Sequence, residues 1–234
     1  MDTQTRHALK GDKFAQATKS GVTWVSGHRT GVIRWVAAVS AVVVVVIGVW
    51  IFAVVRAGAA EAALGSAMDT YSAPLAIPGA PAEPGVYGTA AERAKAANAK
   101  FSAVAQDYGW LSPGRRAHYF AGVTYAELGQ NVQAETDLKA AADSWDRNLA
   151  NLAKLALAGL YHQTNRDTQA IALYNEIIAK PSVTVSATVA QLNLADLYAA
   201  TGKRDMARVL WAKVRDTDKE GAAGQIAAQK LSGQ

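Results

Sequence analysis

The sequence of 234 residues predicts an all-α protein: an N-terminal transmembrane helix, then an α-solenoid of about three and a half helix pairs, then a C-terminal capping helix. Three observations support this prediction. An uncharged apolar run lies near the N-terminus, the composition is rich in alanine with 6 prolines and no cysteine, and one helical pattern recurs three times. Alanine is the strongest helix former, and a pattern that recurs at a fixed interval indicates stacked units of one structure.

The apolar run covers residues 35–55, which contain no charged side chain and thirteen Val, Ile or Phe. As a helix this run is about 31 Å long, which matches the roughly 30 Å hydrocarbon core of a bilayer. A cleaved signal peptide is the alternative, because Ala57, Gly58 and Ala59 resemble a small-residue cleavage site. The run is longer than the roughly 7–15 apolar residues of most signal peptides, so we expect a membrane anchor.

The excess of positive charge lies before the apolar run. Residues 1–34 contain six Lys or Arg and two Asp, a net charge of +4. The remaining 200 residues contain 18 Lys or Arg and 17 Asp or Glu, a net charge of +1. The positive-inside rule therefore predicts a single-pass protein with a cytoplasmic N-terminus and its main domain on the other side of the membrane. In the bacterial inner (plasma) membrane, which is the expected location, that side is the periplasm. Because the main domain is nearly neutral, we expect no nucleic-acid partner.

The composition divides the chain into five segments. These are a basic cytoplasmic segment (1–34), the transmembrane helix (35–55), a helical extension (56–73), a Pro/Gly linker (74–88) and a repeat domain (89–234). The linker holds four of the 6 prolines. Such a density of proline favours an extended, polyproline-like chain.

The recurring pattern has six positions with the same spacing in three copies. A small residue is followed by tyrosine after 3 residues, and then by four further positions at offsets of 4, 5, 4 and 3. The copies lie 36 and 37 residues apart, and a partial copy (Ala97, Phe101, Val104) precedes them. The three copies are Gly122, Tyr125, Gly129, Ala134, Leu138, Ala141; Ala158, Tyr161, Asn165, Ala170, Tyr174, Ile177; and Ala195, Tyr198, Gly202, Ala207, Trp211, Val214.

Each copy predicts two antiparallel helices. The small residue and the later alanine are expected where the two helices approach most closely, because a larger side chain there would cost roughly 1–3 kcal/mol. Gly129, Asn165 and Gly202 suit the left-handed residue that ends the first helix. Asn131 and Asp167 are expected to cap the second helix of their pairs.

A last helix is expected over residues 219–231. Ile226 and Leu231 are predicted to cover the end of the third unit. Stacked repeats need such a terminal cap, because the outermost unit would otherwise expose its apolar face to water.

A search for reactive side chains finds no catalytic or metal-binding pattern. The four histidines have no metal-ligand spacing, and the chain has no cysteine. Neither a phosphate-binding glycine loop nor a nucleophile elbow occurs. Paired carboxylates are interpreted as solvated helix faces. We therefore expect a protein that is not an enzyme and that uses no metal or cofactor. The histidines are His7, His28, His118 and His162.

The recurring residues resemble the tetratricopeptide repeat, whose signature places Gly or Ala, Tyr, Ala, Phe and Ala at these intervals. The resemblance covers roughly residues 114–217 as three repeats, with a half-repeat at about 89–108. The repeat length exceeds the usual value of about 34, and the expected terminal proline is absent from the first and third copies. The resemblance implies a superhelix with a concave groove lined by the first helix of each pair.

The same resemblance implies a partner-binding groove. Tyr119 and Val123 occupy the positions where some family members carry the first residues of a clamp for a C-terminal carboxylate. An apolar helix or extended segment is therefore the expected ligand. The alternative is that these residues are core of a tight superhelix. The predicted groove residues are Arg116, Tyr119, Val123, Glu127, Leu152, Leu155, Gly159, His162, Gln163, Val189, Leu192 and Asp196.

The order of the segments resembles the single-pass, tetratricopeptide-repeat-like family of bacterial ancillary Sec translocon subunits. The stretches at 5–14 and 68–74 are similar to segments of such proteins. This resemblance implies association with the SecYEG channel and with periplasmic chaperones. We therefore expect a membrane-anchored protein–protein interaction adaptor, with translocon subunits, periplasmic chaperones or exported clients as partners. The alternative is a homo-oligomeric scaffold in envelope assembly or cell division.

Overall fold

The computed structural model describes residues 29–76 and 85–233, and within these ranges the protein consists of nine helices and no strand. The predicted all-α class is confirmed. The basic segment up to residue 28 and most of the linker prolines lie outside the described residues. The helices are α1 (Arg29–Tyr71), α2 (Ala90–Tyr108), α3 (Ser112–Glu127), α4 (Asn131–Ala142), α5 (Arg147–Gln163), α6 (Asp167–Ala179), α7 (Ala187–Ala200), α8 (Arg204–Thr217) and α9 (Ala222–Ser232).

The chain divides into two compact units, Met1–Val55 and Arg56–Gln234, and α1 contributes residues to both. In the first unit, the bulky apolar side chains of α1 between Ile33 and Val55 are exposed. A helix that is apolar on every side suits a hydrocarbon environment. By length and composition, the stretch Ile33–Tyr71 is long and apolar enough to span a membrane.

In the second unit, helices α2 to α9 pack in chain order, each against the next. Connections of three to seven residues join them, so consecutive helices are antiparallel. Helix α3 also touches α5, and α7 touches α9. The helices therefore form successive hairpins, with contacts between neighbouring hairpins.

The three hairpin turns predicted from the repeats have one geometry. Gly129, Asn165 and Gly202 adopt φ angles of 72°, 58° and 79°, which confirms the predicted left-handed residue. In each turn the following amide donates a hydrogen bond to the carbonyl of the repeat tyrosine, as in the Schellman motif. These bonds are Gln130 to Tyr125 at 2.8 Å, Arg166 to Tyr161 at 2.7 Å and Lys203 to Tyr198 at 2.8 Å.

The predicted caps of the second helices are wrong. Asn131 and Asp167 are the first residues of α4 and α6, and neither of these helices has a side-chain cap. The cap positions belong to Gln130 and Arg166. The reason is that Gln130 and Arg166 each close a Schellman turn and also directly precede the next helix. No position therefore remains for a separate capping residue.

The predicted close approach of paired helices is confirmed. A Cβ atom added to Gly122 would lie 2.6 Å from Cγ of Leu138, so only glycine fits there without a shift. The corresponding small residues Ala158 and Ala195 are fully buried. The alanines of the second helices are also fully buried. They are Ala134, Ala170 and Ala207.

Residues 56–71 of α1 form the first helix of the second unit. Leu64 and Ala67 are buried in one cluster with Phe101 of α2 and Ala121 of α3. Helix α2, expected as an unpaired half-repeat, therefore has a partner. The described residues contain four helix pairs followed by α9, rather than the three and a half pairs expected.

The ends of the linker are also held together. The amide of Ala76 donates to the carbonyl of Tyr87 at 2.8 Å, and the amide of Tyr87 donates to the carbonyl of Pro74 at 3.2 Å. These bonds accompany an isolated parallel bridge between Leu75 and Tyr87. The two ends of the connection between α1 and α2 therefore lie side by side.

Helix α9 ends the second unit, as expected for the last helix. Leu231 packs against the cluster of α7 and α8, but Ile226 is exposed, so its predicted covering role is wrong. The helix instead buries Ala223, Gly224 and Ala227. The physical reason is a close approach at Gly224, where an added Cβ atom would lie 1.9 Å from the carbonyl oxygen of Asp218.

Candidate partner-binding surface

Two polar residues of the predicted groove have interaction partners on α1. Arg116 of α3 forms an ion pair with Glu61. The hydroxyl of Tyr71 donates a hydrogen bond of 2.6 Å to Glu127 at the end of α3. Burial and the Glu127 carboxylate raise the pKa of Tyr71 to about 12. This face of α3 therefore lies against residues 56–71.

The bulky apolar residues of the predicted groove are half-buried between helices. Leu152, Leu155 and Val189 pack against one small cluster, which brings α5 and α7 together. Burial raises the pKa of the Tyr119 phenol. Gly159 is half-buried and Gln163 is exposed. The half-buried apolar members are Tyr119, Val123, Leu152, Leu155, Val189 and Leu192.

The remaining polar groove residues connect neighbouring helices. Nδ1 of His162 lies 2.7 Å from a carboxylate oxygen of Asp167, at the start of the next helix. Asp196 accepts a hydrogen bond of 3.1 Å from the indole of Trp211 and pairs with Lys230 at 3.2 Å. The groove assignment stays a prediction, and four of its polar residues make interhelical contacts in this structure.

A second surface lies where the second helix of one pair meets the next pair. At the junction of α4 with α5 and α6, a polar cluster surrounds Glu135. Its carboxylate accepts from Lys139 and Arg166, both at 2.7 Å, and from the Tyr161 hydroxyl at 3.2 Å. The hydrogen bond from Lys139, together with those from Arg166 and Tyr161, lowers the pKa of Glu135 to about 2.

The next junction has the same register but different chemistry. Ile171 stands where the preceding junction has Glu135, and Asn175 stands in place of Lys139. Lys203 replaces Arg166 and lies 5.7 Å from the ring centroid of Tyr198. An isoleucine cannot accept a hydrogen bond, so the ion cluster is lost at this junction.

In its place is an open, mainly apolar pocket of about 430 Å³. Met206 and Val209 of α8 are 48% and 69% exposed at this pocket. Exposed apolar side chains that cluster at a concavity are typical of interaction sites. The lining residues are Asn175, Leu194, Tyr198, Asp205, Met206, Val209 and Leu210.

Sequence reasoning missed this pocket, although a signal was present. In register, Met206 corresponds to Gln169 and Val209 corresponds to Ala172 of the preceding pair. Both changes place a larger apolar side chain on the outer face of the second helix. The repeat signature contains only the positions that are alike in the three copies, so the positions that differ between copies are not part of it.

Among residues 29–76 and 85–233, no group of three or more His, Asp or Glu lies close enough to hold a metal ion. Neither a protein-family model nor a curated protein matches the chain. The fold itself defines the structural class of the protein. The chain is an all-helical protein in which a helix long and apolar enough to span a membrane leads into a series of helix pairs.

Proposed function

We propose that the protein is a membrane-anchored protein–protein interaction adaptor, with the apolar pocket of α6, α7 and α8 as its binding surface. The observation that carries the proposal is the exposure of Met206 and Val209 where the preceding junction is polar. Methionine is flexible and polarisable, and it adapts to ligands of different shape. A pocket of this kind suits an apolar side chain from a partner helix or extended segment.

The membrane topology is part of the proposal. The net charge of +4 before the apolar run supports a cytoplasmic N-terminus and a periplasmic helical domain in the bacterial inner membrane. Anchoring raises the local concentration of the domain near other membrane proteins, so weak contacts become effective. The adaptor needs no catalytic chemistry.

The identity of the partners rests on the sequence resemblance. We propose translocon subunits, periplasmic chaperones or exported clients as the partners. The process that the adaptor would assist is the transfer of emerging proteins. The tetratricopeptide-repeat-like groove remains a second proposed surface, centred on Leu152, Leu155 and Val189. Both surfaces are apolar, and both would accept the same kind of segment.

Site-specific photo-crosslinking of the full-length protein in cells tests this proposal. A crosslinking amino acid at position 209 should capture channel subunits or periplasmic chaperones. Position 172 is the matched control, because it has the same register on α6 and is exposed beside the polar cluster. Equal capture at both positions would contradict the pocket assignment. Crosslinks between two copies of this chain at position 209 would favour the homo-oligomeric scaffold instead.

A further inference from the structure

The two ends of the second unit differ in character. Since consecutive helices are antiparallel, the connections 109–111, 143–146, 180–186 and the charged connection 218–221 lie at one end. The connections 128–130, 164–166 and 201–203 lie at the other end. We name the first of these the tryptophan end. It carries Trp110, Trp145 and Val183, which are 57%, 80% and 97% exposed.

The connections 128–130, 164–166 and 201–203 at the opposite end are short and mostly polar. They read Leu-Gly-Gln, Thr-Asn-Arg and Thr-Gly-Lys, and Leu128 is half-buried. The connection between Tyr71 and Ala90 also lies at that end and exposes Leu75, but among the described connections exposed tryptophans occur at the tryptophan end alone. Exposed tryptophans in connections do not contribute to the packing of the helices, so their presence at one end needs another explanation.

Two contacts establish which end of the unit continues into the apolar run. Arg56, the residue directly after that run, donates to the carbonyl of Asp107 at 3.4 Å, and its guanidinium lies 4.9 Å from the ring centroid of Tyr108. Both residues stand at the end of α2, just before Trp110. At the opposite end of the second unit, Tyr71 of α1 contacts Glu127, which directly precedes the polar connection 128–130. The chain therefore enters the second unit at the tryptophan end.

Two of the exposed side chains of this end, Trp145 and Val183, belong to a shared surface. Trp145 and Val183 line one open pocket of ≈ 640 Å³ together with Pro181. Trp145 also lines an adjoining pocket with Lys154 and Lys180. Indole rings favour the interface between membrane and water, where an apolar ring meets polar headgroups.

We propose that the tryptophan end contacts the headgroup layer of the membrane, with Trp145 and Val183 as the inserted side chains and Trp110 beside them. The inference rests on the proposed membrane anchoring. Arg56, at this end of the second unit, directly follows Val55, the last residue of the apolar run, and lipid is therefore the occupant that we infer for these side chains. Two acidic residues, Asp143 and Asp146, and one basic residue, Arg147, flank Trp145, so an anionic lipid is not required.

The test uses the full chain in vesicles of phosphatidylcholine that contain a lipid with a headgroup nitroxide. Because the chain has no cysteine, a single substitution carries a unique fluorescent label. We expect the label on Val183→Cys to be quenched several-fold more strongly than the label on Val132→Cys. Val132 is the matched control, since it is 77% exposed and follows the polar connection at the opposite end.

A third label, on Val44→Cys, separates this inference from the anchoring on which it rests. The inference would be overturned, and the anchor left intact, if the label at position 44 emits as in hydrocarbon while the labels at positions 183 and 132 are quenched equally. Water-like emission at position 44 would overturn the anchoring itself. Trp145→Ala in the Val183→Cys background should reduce quenching while helical content is unchanged. Shielding of position 183 in native membranes but not in protein-free vesicles would identify a protein as the contact, which also overturns the inference.

Discussion

The hydroxyl of Tyr71, the last residue of α1, donates a hydrogen bond of 2.6 Å to the carboxylate of Glu127, the last residue of α3. Burial and this carboxylate raise the pKa of Tyr71 to about 12, so the phenol remains a donor at neutral pH. Together with the ion pair between Glu61 and Arg116, the bond holds residues 56–71 along α3. The segment that follows the apolar run is therefore part of the helical domain.

Tyr71→Phe should destabilise the second unit by about 1 kcal/mol, because it removes a hydrogen bond to a charged acceptor at a partly exposed site. The free energy of unfolding is measured by denaturant titration of the full chain in detergent, followed by circular dichroism. Tyr87→Phe, which removes a hydroxyl outside this contact, is the control. Equal stability of the two variants would show that the bond contributes nothing.

Glu135→Gln should change the dependence of stability on pH. The pKa of Glu135 is about 2 in the folded protein, below the value of about 4.3 expected for an unfolded chain. The carboxylate therefore contributes stability above the unfolded pKa, and this contribution is lost as the pH falls toward 2. We expect the variant to be less stable at pH 7 and to lose less stability between about pH 5 and 2.

The control for this prediction is Glu176→Gln, which removes a carboxylate from an exposed pair with Lys154. Exposed pairs contribute roughly 0–1 kcal/mol, so this variant should follow the parent protein closely. Unfolding free energies of all three proteins at neutral and acidic pH decide the question. A gap between Glu135→Gln and the parent that stays constant with pH would contradict the assigned role.

Two glycines on first helices should respond to alanine with opposite signs. Gly122→Ala places a Cβ atom 2.6 Å from Cγ of Leu138 and should destabilise the protein by roughly 1–3 kcal/mol. Gly159 has open space around the same position, so Gly159→Ala should stabilise α5 by about 0.5–1 kcal/mol. Thermal and denaturant unfolding of the two variants provide the comparison. A loss of stability at both positions would contradict the packing described.

Val209→Glu should weaken partner binding without loss of folding. The side chain is 69% exposed, so a charge at this position should change the free energy of unfolding by no more than about 0.5 kcal/mol. In the apolar pocket the same charge would be desolvated by a bound segment, and we expect at least about fivefold weaker recovery of the partner when the crosslinking amino acid is at position 206 of the same pocket. Ala172→Glu carries the same charge at the matching position of α6. If both variants recover partners equally, the pocket is not the binding surface.

The repeat pattern predicted the helix pairs and their turns because its causes are local. A left-handed residue four positions after each tyrosine ends a helix wherever it stands, as at Gly129. A glycine opposite Leu138 requires only that two consecutive helices pack. The errors at Asn131 and Ile226 arose where a neighbouring turn or a close approach at Gly224 outweighed the local preference.

By itself, the sequence determined the all-α class, the apolar run and the three hairpins that share one Schellman turn. Only the tertiary structure decided that residues 56–71 pair with α2, because the connection of 18 residues between Tyr71 and Ala90 interrupts the register that the other pairs share. It also decided that one junction is closed by Glu135 and the next is open at Val209. Periodicity reports the contacts within a hairpin, whereas the surface between hairpins depends on which unlike side chains packing brings together.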